Sequence, residues 1–163
     1  MQRVGLRPLA ATDLAEVRAL VASDVEATPY GPAVESALTQ AVEAADTGVG
    51  TESLGLVAER DGDIVGLALY GLVSGSEGAG KLHLVVVTAS ARLQGVATEL
   101  CDAAAAALAA RGARFVIAEV ADDPRMAPGR SLLMHAGFCE DARVADYFAD
   151  GIALVILRRE IVA

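Results

Sequence analysis

Tryptophan is missing from this 163-residue chain, aromatic residues make up only 4% of it, and it has just two cysteines and two histidines. Each shortage excludes something. Cys101 and Cys139 are too few for a disulfide framework or a thiolate metal cluster, and they read as the reduced thiols of a cytoplasmic protein. His83 and His135 cannot build a histidine-rich metal site, so no metal is expected. No apolar run approaches the roughly 20 residues that cross a bilayer. No apolar leader follows Met1-Gln2-Arg3-Val4-Gly5 either, so no membrane partner is expected. Basic residues are also short: 13 Lys and Arg stand against 22 Asp and Glu, a formal net charge of −9. Phosphate neutralisation needs clustered cations, so nucleic acid is excluded as a partner, whereas a cationic acceptor such as an amine fits.

What the chain has is apolar bulk in small pieces: 54% of residues are hydrophobic, Ala and Val prominent among them. The length suits one domain over 1–163. Arg3–Leu9 reads as a short strand closed by Pro8. Thr12 offers an N-cap to a helix whose apolar face is Leu14, Val17, Leu20 and Val21. A turn-rich break at Asp24–Pro32 precedes a second helix over Ala33–Ala45. Leu54–Glu59 and Ile64–Val73 flank Asp61-Gly62, a hairpin signal. Lys81–Thr88 is a further strand, Leu93–Arg111 a long alanine-rich helix stopped by Gly112, and Phe115–Val120 a buried strand. Ala127–Ala136 is a short helix, and Arg143–Phe148 with Ile152–Arg159 a closing hairpin through Asp150-Gly151. The order β-α-α-β-β-β-α-β-α-β-β predicts a mixed sheet flanked by helices.

The stretch that points to chemistry is Val85-Val86-Val87 followed by Thr88-Ala89-Ser90-Ala91-Arg92-Leu93-Gln94-Gly95-Val96-Ala97-Thr98. A strand runs through a tight loop straight into a helix. Arg92-x-x-Gly95-x-Ala97 places small residues where backbone must turn and approach a ligand. The free amides at a helix start, with the positive end of the dipole behind them, receive a pyrophosphate. Arg92 would add one charge-assisted contact.

This segment resembles the acetyl-CoA loop of the GNAT N-acetyltransferase superfamily, R/Q-x-x-G-x-G/A. The likeness extends from the Arg7-Pro8 opening with Asp13, through the Asp-Gly hairpin, to Glu119-Val120, Gly137-Phe138 and Asp146-Tyr147-Phe148. It implies a mixed, mostly antiparallel sheet of about seven strands with about four helices. It also implies acetyl-CoA as co-substrate, with a peptide, protein or small-molecule amine as acceptor, and a homodimer as the family prior. The backbone of Val85 and Val87, flanking Val86, would hold the pantetheine arm like an added strand. The amides of Gln94 to Thr98, next to Leu93, would hold the pyrophosphate.

A protonated amine needs something to take its proton. Glu119, the one charged residue in Phe115–Val120, is the expected base, against the alternative of a solvated or ion-paired strand-end glutamate. The resemblance places a thiolate-protonating tyrosine where this chain has Leu133, so Tyr147 on a neighbouring strand is the expected acid, with water and a purely structural Tyr147 as alternatives. His83 is either a second proton carrier in the acceptor cleft or a structural histidine. Cys139 lies either near the cofactor's thiol or in inert packing. Gly75–Lys81 matches GxxxxGK, but Leu82 replaces the metal-binding Ser or Thr and a strand follows, so nucleotide binding is rejected. Two readings remain: an acetyl-CoA-dependent N-acetyltransferase, or an acyl-CoA-binding domain that lost the chemistry.

Overall fold

Strand-forming stretches rich in Val, Leu and Ile alternate with alanine-rich helical ones, and the backbone follows that pattern closely. The computed structural model describes residues 3–25, 31–50 and 52–162. The strands are β1 (Gly5–Pro8), β2 (Leu54–Arg60), β3 (Asp63–Leu72), β4 (Ala79–Val87), β5 (Phe115–Ala121), β6 (Cys139–Ala149) and β7 (Ile152–Glu160). The helices are α1 (Leu14–Val25), α2 (Gly31–Thr47), α3 (Val96–Ala109) and α4 (Ala127–His135). One seven-stranded sheet runs β1-β2-β3-β4-β5-β7-β6. Every neighbouring pair is antiparallel except β4 with β5. This mixed sheet with four helices is the architecture expected from the sequence.

β3 explains why the sheet forms where it does. Ile64 to Tyr70 are all buried, because helices cover both faces of this central strand. Val65, Ala68 and Tyr70 pack with Leu100, Ala104 and Leu108 of α3 on one face. Ile64, Leu67 and Leu69 pack with Val17 of α1 and Leu38 of α2 on the other. The β2–β3 turn is tight, with φ of +55° at Asp61 and +93° at Gly62, the left-handed pair an Asp-Gly hairpin supplies.

Several boundaries move from expectation. α3 starts at Val96 rather than Leu93, because Leu93 (φ +59°) and Gly95 (φ +83°) are left-handed and cannot continue a helix. β6 begins at Cys139 rather than Arg143, paired with β7 from its first residue. Thr12 is not the cap of α1. It lies in a short 3-10 turn, Ala11–Asp13, that precedes α1, and the Asp13 carboxylate accepts from the Ala10 amide at the start of that turn. The Asp24–Pro32 break also shrinks, since α1 reaches Val25 and α2 begins at Gly31; residues 26–30 lie outside the described ones.

Asp13 is buried and ties three segments together. Its carboxylate accepts from Arg7 Nη1 and Nη2 at 2.7 and 3.0 Å, and from the Ala10 amide at 2.8 Å. Arg7 Nε meanwhile donates to Glu59 on β2 at 2.9 Å. The Arg7 guanidinium holds the Asp13 carboxyl below its ordinary range. A carboxyl depressed on folding contributes stability above its unfolded pKa and loses it as pH falls through the folded value. We expect Asp13→Ala to cost about 1–3 kcal/mol at neutral pH by urea unfolding. The gap between variant and wild type should close as the pH drops below about 4.

Candidate functional site

β4 and β5 run side by side for three residues only. Ala79, Gly80 and Lys81 pair with Phe115, Val116 and Ile117, and beyond them the strands part. β4 continues to Val87 bonded to β3 alone. The register on that side skips from Leu84↔Leu69 to Leu82↔Tyr70, which leaves His83 as an extra residue, a β-bulge. A bulge bends its strand and re-aims the local side chains. Here it stands just past the last residue that β4 shares with β5.

Alternation then decides which backbone groups face the gap. The Thr88 amide donates to the Val65 carbonyl in β3 at 2.9 Å, so the backbone of Thr88 and Val86 is turned toward β3. Val85 and Val87 therefore direct their N–H and C=O to the open edge. None of these groups pairs with β5, and the Val87 carbonyl meets a side chain, Arg92 Nε; main-chain groups placed in this way are a template for an extended ligand. The side chains of Val86 and Val87 are buried and that of Val85 half-buried, so the three valines offer backbone there rather than surface.

The gap leads directly to the start of α3. Gly95 occupies the N-cap at φ +83° with no side-chain cap, and the first turn closes with the Glu99 amide donating to its carbonyl at 3.0 Å. The amides of Val96, Ala97 and Thr98 head the helix with no capping side chain. Leu93 is fully exposed at φ +59°, so two left-handed residues, Leu93 and Gly95, turn the chain into the helix start. Gln94 braces it, donating to the Ser90 carbonyl at 2.8 Å and accepting from Arg60 Nη2 at 2.7 Å. Arg92 Nε is turned back toward the Val87 carbonyl at 3.4 Å. Arg60, whose Nε is buried without a partner, was not singled out from sequence. Its place beside Asp61-Gly62 was the available signal, since that hairpin lies at the same sheet end as the loop.

On the other side of the bulge a cavity of about 250 Å³ opens between α2 and the sheet, lined among others by Ser36, Gln40, Glu52, Ser74, Lys81 and His83. A recess of about 70 Å³ adjoins it, reaching Lys81, His83 and Glu119. Glu119 Oε2 lies 3.0 Å from Lys81 Nζ, an ion pair across the splitting strands. His83 Nε2 is 2.9 Å from the Glu52 carbonyl. A carbonyl only accepts, so Nε2 carries the proton and Nδ1 is left with its lone pair. Burial holds the imidazole pKa below its ordinary value, which keeps the ring neutral.

The other candidates fall elsewhere. Tyr147 is exposed on β6, its ring 4.9 Å from Phe148, and β7 separates that strand from β5. Tyr147 does not line the cavity or the recess beside Glu119. Cys139 is exposed at the start of the same edge strand. His135 Nδ1 is 2.7 Å from the Ser131 carbonyl on α4. Leu133 packs against the apolar core beside α3. Asp122 is held below the usual carboxylate range by Arg143 of β6 and then by Arg130 of α4, a clamp between those elements. The Gly75–Lys81 segment runs into β4 instead of a helix, and its lysine is engaged with Glu119.

A model of the acetyltransferase (GNAT) family matches residues 22–128. Among solved structures, a GNAT-family protein from Desulfovibrio desulfuricans superposes with a TM-score of 0.87 at 24% identity, over 98% of this chain and 100% of its own. The ribosomal-protein-S18-alanine N-acetyltransferase of Escherichia coli gives 0.73 at 18% identity, over 99% and 96% of the two chains. A Salmonella typhimurium protein solved with its cofactor acetyl-CoA gives 0.75 at 17%, over 96% and 93%. At these identities the superpositions establish a shared fold. No curated protein sequence matches significantly.

The cavity wall depends on one close approach. A Cβ on Gly71 would fall 1.9 Å from the Glu52 carbonyl oxygen, the same oxygen that receives the His83 proton. Gly71→Ala must therefore displace the backbone at Glu52. We expect a loss of about 1–3 kcal/mol in unfolding measurements. The His83 ring resonances should shift as their anchor moves.

Proposed function

Because the chain belongs to the GNAT acetyltransferase family, we propose that it transfers the acetyl group of acetyl-CoA to a primary amine, borne by a peptide, a protein or a small molecule. The observation that supports this most is the continuity of the gap with the helix start. Two outward-facing backbone units, at Val85 and Val87, lead to a glycine-led loop and to the uncapped amides of Val96, Ala97 and Thr98. That sequence of groups suits a ligand with an amide-bearing arm at one end and a pyrophosphate at the other. When bound, acetyl-CoA supplies an activated acetyl thioester, whose acyl carbon bonds to the amine as coenzyme A leaves.

The residues around the cavity would do the rest. The mouth between α2 and the sheet admits the acceptor and holds it against the end of the gap, converting an encounter into a reaction between held groups. Glu119 gives general-base help, either by taking the ammonium proton or by favouring its passage to a neighbour. Lys81, 3.0 Å away, holds that carboxylate in place. Departure of the thiol needs no tyrosine at position 133, since a thiolate is a stable leaving group that water can protonate.

The packed Leu133 also favours a second reading, an acyl-CoA-binding domain without turnover. Coenzyme A release against a panel of primary amines separates the two, with tight binding and no release on any amine supporting the second.

Two substitutions test the site. Gly95→Val forces a β-branched residue into φ +83°. It should weaken coenzyme A binding about 5- to 30-fold by calorimetry, as expected from a left-handed penalty of roughly 1–2 kcal/mol. Glu119→Gln should lower kcat/KM for the amine by about 10- to 100-fold. Its coenzyme A affinity should stay at the wild-type level, because Glu119 lies on the acceptor side.

A further inference from the structure

We propose that His83 Nδ1 is the atom that takes the proton from the acceptor amine, with Glu119 and Lys81 fixing the charge around it. This rests on the transferase reading and names the proton acceptor that reading leaves open. Geometry comes first. His83 is the extra residue of the β4 bulge, on the wall of both the 250 Å³ cavity and its 70 Å³ recess. Its Nε2–H is committed to the Glu52 carbonyl at 2.9 Å, which fixes the tautomer and leaves Nδ1 as acceptor. Among the described residues no hydrogen bond to Nδ1 is made.

Glu119 is placed differently. Its carboxylate already shares a 3.0 Å contact with the Lys81 ammonium, so it acts as a counter-charge in the recess. The surroundings of the imidazole agree. Burial, the largest influence, lowers its pKa; the hydrogen bond to the Glu52 carbonyl raises it, Lys81 on β4 lowers it and Glu119 on β5 raises it. From the loop before β2 it meets the Glu52 carbonyl, and the cavity residues of α2 (Ala33, Ser36, Ala37 and Gln40) bear no charge. A neutral ring is the form a base requires, and this one stays neutral down to more acidic pH than a free histidine.

The protons balance. An ammonium arrives with three: one passes to His83 Nδ1 and on to water through the cavity mouth, one leaves with the coenzyme A thiol, and one remains on the new amide. The C–N bond forms as the C–S bond breaks, and the imidazole returns to its neutral state.

His83→Gln is the informative substitution, because a glutamine amide can still donate to the Glu52 carbonyl but cannot take a proton. Ethylamine, protonated at neutral pH, and 2,2,2-trifluoroethylamine, largely neutral there, serve as acceptors. The variant should lose about 100-fold in kcat/KM on ethylamine and stay within about threefold on trifluoroethylamine, the size of a general-base contribution. The acid limb of the wild-type pH profile should vanish with it. Equal losses on both amines, or none on ethylamine, would overturn the proposal.

A second readout needs no turnover. ¹⁵N-histidine spectra of the coenzyme A-loaded chain, assigned against His83→Gln since only two histidines exist, report tautomer and titration directly. The expected state is Nε2-protonated with a pKa below the ordinary value of about 6.5. An Nδ1-protonated ring, or an imidazolium persisting at neutral pH, rules the proposal out whatever the amines do. Failure to bind coenzyme A, read separately by calorimetry, would instead sink the transferase reading.

Discussion

The parting of β4 and β5 is the constraint on which the rest of this molecule turns. Two parallel strands would ordinarily stay bonded along their shared length, because each broken rung leaves a donor and an acceptor without a partner. Here pairing stops at Lys81 and Ile117, and the next residue but one on β4, His83, is the bulge. An inserted residue bends its strand, so the bulge and the gap are two aspects of one distortion. The gap exposes the main chain at Val85 and Val87, and the bulge sets His83 facing the cavity under α2. In the proposed function, the cofactor track and the acceptor wall thus arise from the same irregularity.

That distortion is held from both sides. α3 lies against β3 and β4 with its first turn uncapped at the mouth of the gap, and Arg60, through Gln94, braces the loop that feeds it. α2 closes the opposite face, and the backbone at Glu52 passes so near Gly71 that any side chain there would displace it. The Glu52 carbonyl in turn sets the His83 tautomer. Rigid packing around a few main-chain groups is what lets a neutral imidazole and an ion pair keep their places in a partly open cleft.

Much of this was legible from residue order. The Asp61-Gly62 and Asp150-Gly151 turns, the alternation of apolar strands with alanine-rich helices, and the Arg92-x-x-Gly95-x-Ala97 junction all rest on local preferences that a sequence displays. The β-branched run behind Gly75–Lys81 sets that segment apart from a phosphate loop, and the run is β4. Boundaries slipped where one backbone angle overruled composition. Leu93 and Gly95, both left-handed, cut three residues from the expected start of α3. Thr12 falls inside a 3-10 turn ahead of α1, and Asp13 beside it is held by Arg7 from another segment.

The sequence by itself therefore determined the elements, their order, the glycine-led loop and the scarcity of ionisable groups from which any proton chemistry must be drawn. Tertiary structure alone decided which of those groups meet. Lys81 and Glu119 stand 38 positions apart and become an ion pair only because β4 and β5 lie side by side up to the point where they part, while Tyr147 is carried to an outer strand. His83 reads as one alternating residue among several until a shift of a single rung against β3 makes it a bulge. Turn and helix preferences act over a few residues and leave a trace in the order of the chain. Strand register is a sum over distant contacts and leaves none at the positions it controls.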